Sequence, residues 1–189
     1  MPTQWTTSSW VAGRYRQPPI SLLPFPKSRM VVILMGVTGA GKTTVGEALA
    51  AELRWRFADA DDYHSPSNIA KMRAGIALDD ADRAPWLQSL QDAIARWTNA
   101  GDNVVLACSA LKDSYRQLLV VSPDVCFVYL RGSFDAISQR LRRRTNHYMN
   151  PTLLRSQFET LEEPRNVLVI DADQGVQQIV SEIRAALCV

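Results

Sequence analysis

The sequence predicts an α/β protein in which helices cover both faces of a parallel sheet. Short runs of consecutive apolar, often β-branched residues alternate with segments whose apolar residues recur at helical spacing. Parallel strands buried on both faces have this continuous apolar character, and each needs a crossover to reach the next strand. No internal repeat or linker interrupts the pattern. We therefore expect one domain over residues 30–189.

The elements follow from apolar runs and from helix-boundary residues. Apolar runs predict strands at residues 31–35, 57–58, 104–108, 125–130 and 167–170. Helical spacing predicts helices after the first strand, around Tyr115, after Phe134 and over residues 176–187. Ser65–Pro66 has the form of an N-cap followed by proline, which predicts a short helix. Pro85 predicts the start of another helix, and Gly101 its end.

Residues 1–29 differ in composition from the rest of the chain. They contain no Asp or Glu, and they include Pro2, Pro18, Pro19, Pro24 and Pro26. The basic, acid-free composition resembles an organelle transit peptide, but the prolines would break the amphipathic helix of such a peptide. We expect either a disordered tail or a non-native extension before a natural start at Met30, and a cytoplasmic protein, with organelle targeting by the extension as the alternative.

Composition excludes several classes of function. The net charge of +2 gives no basis for nucleic-acid binding. The three cysteines include no C-x-x-C pair, which indicates reduced thiols, and two histidines without ligand spacing predict no zinc site. No apolar stretch approaches the roughly 18–20 residues that span a bilayer.

A phosphate-binding motif follows the first predicted strand. Residues 36–43 satisfy G-x-x-x-x-G-K-[ST] between a buried strand and an amphipathic helix. Glycines allow backbone N–H groups to surround a phosphate, and the helix dipole adds to this field. We expect Lys42 to reach the β- and γ-phosphates and the Thr43 hydroxyl to bind Mg²⁺. The predicted nucleotide-binding residues are Gly36, Val37, Thr38, Gly39, Ala40, Gly41, Lys42, Thr43, Thr44 and Arg140.

Two carboxylates follow the second strand. Asp59 and Asp61 alternate in a segment expected to be extended, so their side chains should share a face. Beside a nucleotide, we expect Asp59 to lie close to the metal. We expect Asp61 to bind the acceptor and to take the proton of its attacking hydroxyl. The alternative is a solvated acidic turn that caps the next helix.

Further candidates follow the third strand and the Phe134 helix. Ser109 could contact substrate or metal-bound water, or could cap the helix that holds Tyr115. A predicted helix ends with four arginines, Arg140, Arg142, Arg143 and Arg144, just before the loop at residues 145–150. This arrangement is typical of a mobile lid that closes over phosphates. The alternative is that the arginines only interact favourably with the dipole at the C-terminus of the helix. We expect Arg140 to stack on adenine and Arg144 to stabilise charge. His64 could contact substrate or brace its turn.

Several longer motifs join the phosphate-binding loop. They are Asp59-Ala-Asp-Asp-Tyr-His64, Asp79-Asp-Ala-Asp-Arg83, Cys108-Ser-Ala-Leu-Lys112, His147-Tyr-Met149 and Ser156-Gln-Phe-Glu-Thr-Leu-Glu-Glu-Pro164. In this order, from about Val31 to Asp173, they resemble the gluconokinase family. One departure is Asn146, where related lids usually place glycine.

The resemblance implies a shikimate-kinase-like P-loop fold with strand order 2-3-1-4-5, ATP and Mg²⁺ as cofactors, and a homodimer. It implies transfer of the γ-phosphate to the 6-hydroxyl of gluconate, which would feed the pentose phosphate or a related sugar-acid pathway. The expected substrate residues are Asp61, His64, Lys71, Arg83, Ser109, Lys112, Arg116 and His147. The alternatives are a kinase for another sugar acid or shikimate, and a nucleotide-binding module without turnover.

Overall fold

The structure is a computed structural model that describes residues 29–143 and 151–189. The strands are β1 (Val31–Met35), β2 (Arg56–Asp59), β3 (Val104–Ala107), β4 (Val125–Arg131) and β5 (Leu168–Asp171). The helices are α1 (Lys42–Leu53), α2 (Pro66–Arg73), α3 (Asp80–Ala100), α4 (Asp113–Leu119), α5 (Phe134–Arg143), α6 (Pro151–Thr160) and α7 (Val176–Leu187), with a 3₁₀ helix at Ala60–Tyr63.

The five strands form one parallel sheet in the order β2-β3-β1-β4-β5. This confirms the predicted fold class and strand order. All five residues of β1 are buried, as expected for the central strand of a sheet covered on both faces. Among the described residues, no helix is long and apolar enough to cross a membrane.

Alternate residues of β1 belong to two different hydrophobic clusters. Val32 and Leu34 pack with residues of α1 and α7, whereas Val31, Ile33 and Met35 pack with residues of α3 and α4. Successive side chains of a strand point to opposite faces, so a single apolar run supplies both cores. The result is the three-layer arrangement of helices, sheet and helices.

Two helix boundaries agree with the prediction. Ser65 accepts a hydrogen bond from the Asn68 N–H and Pro66 opens α2. Gly101 ends α3 with a φ of 76°, the left-handed conformation that glycine adopts at low cost.

Other predicted boundaries are wrong. Helix α3 begins at Asp80, not at Pro85, because Asp79 and Asp82 form a capping box that starts the helix earlier. Pro85 then removes one backbone hydrogen bond inside the helix. Ser109 does not cap α4, since Lys112 is its N-cap residue. Helix α6, over residues that include Gln157, was not predicted.

Candidate active site

The loop between β1 and α1 adopts the conformation that its glycines permit. Gly36, Gly39 and Gly41 have φ values of 144°, 78° and 94°. A Cβ atom on Gly36 would lie 2.7 Å from the carbonyl oxygen of Leu130, so this position excludes a side chain. The loop ends at the N-terminus of α1, where unpaired N–H groups and the helix dipole favour an anion. Thr44 is exposed on the first turn of that helix.

The Lys42 side chain lies back against this loop. Its Nζ donates to the carbonyl oxygen of Val37 at 3.0 Å. Burial lowers the pKa of Lys42, whereas the nearby Asp61, Cys108 and Asp59 oppose that change. The ammonium group therefore stands within electrostatic reach of both predicted carboxylates.

The structure brings Thr43, Asp59 and Asp61 together. The Thr43 hydroxyl donates to Asp59 Oδ2 at 2.9 Å, and the Asp61 N–H donates to Asp59 Oδ1 at 3.0 Å. The prediction of an extended segment was wrong at Asp61, which lies in the 3₁₀ helix that Asp59 caps. The two carboxylates are neighbours because a tight turn joins them, not because they alternate along a strand.

The environment of Asp61 favours its protonated form more than water would. Burial raises the pKa of Asp61 although its side chain remains exposed in part, and the charge of Asp59 raises that pKa further. Lys42 and His64 act in the opposite direction. A carboxylate with a raised pKa is more basic, which suits a proton acceptor.

His64 lies between this carboxylate and α3. Its ring stacks on Trp86 with centroids 4.6 Å apart, and Trp86 Nε1 donates to the Ala60 carbonyl at 2.7 Å. Burial lowers the pKa of His64, with Asp61 opposing and Arg83 reinforcing the shift. Its Nδ1 atom is buried and has no hydrogen-bond partner among the described residues. The stacking on Trp86 braces the turn that holds His64.

A cluster of charged and phenolic groups forms where α3 meets α4. Lys112 Nζ lies 2.7 and 2.8 Å from the two carboxylate oxygens of Asp80, to which the Tyr115 hydroxyl also donates. Arg83 lies 3.9 Å from Asp80 and 3.4 Å from the Tyr115 hydroxyl. The sequence predicted Arg83 and Lys112 as substrate residues and missed Asp80 and Tyr115. Asp80 lies in the Asp79-Asp-Ala-Asp-Arg83 motif, and this position was the signal in the sequence that could have identified it as a site residue.

Lys71 and Arg116 do not lie in this cluster. Lys71 is paired with Asp82 at 2.6 Å, beside the N-terminus of α3. Arg116 is buried, and its Nη1 donates to the carbonyl oxygens of Ala110 and Leu111, each at 3.0 Å. In this structure Arg116 braces the loop after β3 and does not face the Asp80 cluster.

Ser109 and the loop after β3 lie against the phosphate-binding loop. The Ser109 carbonyl accepts the Gly36 N–H at 3.3 Å, and its side chain is half-buried. Ala110 has a φ of 43°, an uncommon conformation for a residue other than glycine. The phosphate-binding loop, the acidic turn of Asp59 and Asp61, and the loop that carries Ser109 thus follow the carboxyl ends of β1, β2 and β3, the edge at which open parallel sheets bind ligands.

Arg140 connects the phosphate-binding loop with the segment after β5. Its guanidinium donates to the carbonyls of Gly39 at 3.4 Å and Ala172 at 2.8 Å, and to Asp173 at 2.9 Å. A groove beside it is lined by Ala136, Gln139, Arg143 and Asp173 as well as Arg140. Arg144 and His147, with the predicted lid loop, lie outside the described residues.

Comparisons with known proteins agree with this geometry. The family model of shikimate kinase matches residues 38–187. A probable gluconokinase of Xenopus tropicalis is 44% identical over 173 residues, covering 82% of this chain and 91% of the relative. The thermoresistant gluconokinase of Escherichia coli is 42% identical over 156 residues, with 80% and 89% coverage.

A solved structure shows the same relationship in three dimensions. A gluconokinase from Sinorhizobium meliloti superposes with a TM-score of 0.77 at 40% identity, covering 85% of this chain and 92% of that one. These matches confirm the resemblance seen in the motifs and support a nucleotide-binding kinase. The chain belongs to the gluconokinases, within the P-loop kinase family that the shikimate kinase model describes.

Proposed function

We propose that this protein transfers the γ-phosphate of ATP to the 6-hydroxyl of D-gluconate, forming 6-phospho-D-gluconate. The observation that carries the proposal is the placement of Asp61. It interacts electrostatically with Lys42 of the phosphate-binding loop and with His64, and its N–H donates to Asp59, which also accepts the Thr43 hydroxyl at the start of α1. His64 interacts electrostatically with Arg83, which belongs to the same cluster as Lys112. Asp61 would therefore act as a proton acceptor close to the phosphate-binding loop and to cations suited to a carboxylate.

On the donor side, we propose that the loop from Gly36 to Thr44 binds the phosphates of ATP. Lys42 would neutralise charge on the transferred group, and Arg140 would stack on adenine beside the groove that it lines. Arg144 is proposed to stabilise charge on the transferred phosphate and His147 to contact substrate. The role of Arg144 rests on its place in the arginine cluster before the predicted lid loop, and that of His147 on the sequence resemblance.

The Thr43 hydroxyl and the Asp59 carboxylate fit a magnesium site. They are hard oxygen donors whose oxygens lie 2.9 Å apart, which is the donor chemistry that Mg²⁺ prefers, so Thr43 and Asp59 would hold the ion. The ion would supply positive charge that neutralises the phosphates of the nucleotide. Asp59 also caps the turn that holds Asp61, so the same side chain serves both sites.

On the acceptor side, Asp61 would accept the proton of the 6-hydroxyl as the hydroxyl oxygen attacks the γ-phosphorus, while the bond from the γ-phosphorus to the β,γ-bridging oxygen breaks and ADP leaves. We propose that Lys112 and Arg83 bind the gluconate carboxylate, since they are the cations of the α3–α4 cluster, while His64 and Ser109 contact its hydroxyls. Lys71 and Arg116 would support the acceptor site without contacting gluconate. Lys71 would do so through its ion pair with Asp82, and Arg116 through its hydrogen bonds to the Ala110 and Leu111 carbonyls.

Further proposals concern the whole protein. Residues 30–189 would form the kinase domain and residues 1–29 an extension outside it. The protein would be a cytoplasmic homodimer without nucleic-acid or membrane partners. The sequence resemblance supports the homodimer, and the small net charge supports the lack of a nucleic-acid partner.

The test is ADP release from Mg-ATP with gluconate, shikimate, other sugar acids or no acceptor, with phosphorus NMR to identify the product. We expect turnover selective for gluconate and a phosphomonoester at its 6-position. Turnover with a different acceptor would support the kinase activity but would contradict gluconate as its substrate. ATP binding without turnover on any acceptor would favour a nucleotide-binding module.

A further inference from the structure

One peptide group of the phosphate-binding loop is held at both of its ends. The Val37 carbonyl accepts a hydrogen bond from Lys42 Nζ at 3.0 Å. The N–H of the same peptide group, which belongs to Thr38, donates to Gln157 Oε1 at 2.6 Å. The Lys42 ammonium and the Gln157 amide thus fix the orientation of a single planar unit from opposite directions.

Gln157 is presented to this peptide by a well-anchored helix. Its neighbour Phe158 packs edge-on against Phe134 of α5, with ring centroids 5.4 Å apart. Leu154, one turn earlier on α6, is 2% exposed and belongs to the core cluster that contains Val32 and Leu34 of β1. The helix is therefore fixed at a position from which Gln157 reaches Thr38, although 119 residues separate Gln157 and Thr38 in sequence.

We infer that Gln157 is a positioning residue that holds Lys42 in its place by fixing the Val37–Thr38 peptide. Without an acceptor at Gln157, the half-buried Thr38 N–H loses its partner, and rotation of the peptide toward another partner carries the Val37 carbonyl away from Lys42. The lysine then loses the contact that holds its ammonium over the loop. This inference rests on the proposed kinase function, because it assigns Lys42 to the phosphates of ATP.

The test is a double-mutant cycle on the affinity for Mg-ATP, measured by calorimetry without an acceptor. Gln157→Met keeps the length of the side chain and removes the acceptor oxygen. We expect it to weaken ATP binding by about tenfold, as for the loss of one hydrogen bond that leaves a donor unpaired. In a Lys42→Met background, the same change should alter affinity by less than about twofold, because its effect passes through Lys42.

Turnover gives a second measurement. Gln157→Met should lower kcat with gluconate by about tenfold, while the KM for gluconate stays within about threefold, a split that general loosening of the fold would not produce. Gln157→Asn, whose amide is one methylene too short to reach Thr38, should show the same losses. Glu159→Gln, an exposed change on the same helix, is the matched control and should behave as the wild type.

Two results would overturn the inference. One is an effect of Gln157→Met on ATP affinity that is equally large with and without Lys42. The other is wild-type affinity and kcat in both Gln157 variants, each shown to be folded by its thermal unfolding. Failure of the wild-type protein to phosphorylate gluconate would instead reject the proposed function, since the affinity cycle contains no acceptor.

Discussion

At the scale of single residues, one environment changes the pKa values of two groups of opposite charge. Burial lowers the pKa of Lys42 and raises that of Asp61, and the attraction between the two groups opposes both shifts. The Cys108 thiol beside them is fully buried, and burial raises its pKa to about 12, so it stays protonated and unreactive. Of these three groups, we propose catalytic roles for Lys42 and Asp61 alone.

Replacing Asp61 by Asn should abolish most turnover and leave ATP binding nearly intact. The amide cannot accept the proton of the attacking hydroxyl, a function worth on the order of 10²–10⁴-fold in rate. Steady-state kcat and calorimetric ATP affinity measure the two effects. Asp62→Asn, an exposed change at the next residue, is the control, and a kcat for Asp61→Asn close to that of Asp62→Asn would contradict the assignment of the base.

The same Asp61→Asn variant should be more stable than the wild type at pH 7. Because folding raises the pKa of Asp61 above its ordinary 3.8, this carboxyl favours the folded state while it is protonated. That contribution is fully present below pH 3.8 and is lost as the pH rises through the raised pKa. Asn, which is always neutral, retains it. Thermal unfolding at pH 7 and below pH 3.8 should show the gain only at pH 7, and an equal gain at both values would contradict it.

At the scale of elements, the segment after α6 supports the loop that follows β3. The Glu162 N–H donates to the Leu111 carbonyl at 2.9 Å, and its carboxylate accepts the Asp113 N–H at 2.6 Å. Arg116 holds the same loop from α4 through the Ala110 and Leu111 carbonyls. Gln157 contacts the phosphate-binding loop, so the single stretch of chain over residues 157–162 contacts both that loop and the loop after β3.

Replacing Arg116 by Met should destabilise this loop and weaken acceptor binding. Removing a buried charged donor from two carbonyls should lower the free energy of unfolding by about 1.5–3 kcal/mol. The KM for gluconate should rise more than the KM for ATP, because the loop carries Ser109 and Lys112. Denaturant unfolding and the two KM values measure these changes.

Arg116→Lys is the matched variant for that experiment. It keeps the charge but has no planar fork to reach both carbonyls, so an intermediate effect is expected. Equal increases in the two KM values for Arg116→Met would contradict a role specific to the acceptor loop.

At the scale of the whole molecule, close packing of helices on the sheet places the site. Gly46 of α1 lies against β2, and a Cβ atom there would stand 2.6 Å from Cε2 of Phe57. The absence of a side chain thus allows α1, which begins with Lys42, to approach the strand that ends at Asp59. The distance between the phosphate site and the acidic turn depends on this contact.

Gly46→Ala should therefore destabilise the protein although alanine favours helices. The helix preference contributes about 1 kcal/mol in favour of alanine, whereas overpacking costs about 1–3 kcal/mol. Combining it with Phe57→Leu should relieve the clash, so the two changes should be non-additive in denaturant unfolding. Simple additivity, or a stabilising Gly46→Ala, would show that the Phe57 ring moves aside at little cost.

Features encoded by neighbouring residues were predicted well from the sequence. The phosphate-binding loop lies in nine consecutive residues, the cap at Ser65 depends on the hydroxyl of that residue, and the cap at Gly101 depends on its backbone freedom. The parallel sheet followed from apolar runs, because strands buried on both faces need them. The start of α3 was predicted wrongly, because the prediction rested on Pro85 alone, whereas the capping box of Asp79 and Asp82 starts the helix five residues earlier.

By itself, the sequence determined the layered α/β fold, the phosphate-binding loop and the family, since these depend on local backbone preferences and contiguous motifs. The tertiary structure alone decided that Asp80 contacts Lys112, 32 residues away, and that Gln157 contacts Thr38. It also decided that Arg116 binds backbone carbonyls and does not face the Asp80 cluster. The physical reason is that strand order and helix packing bring distant side chains together, whereas local preferences specify only the conformation of each segment.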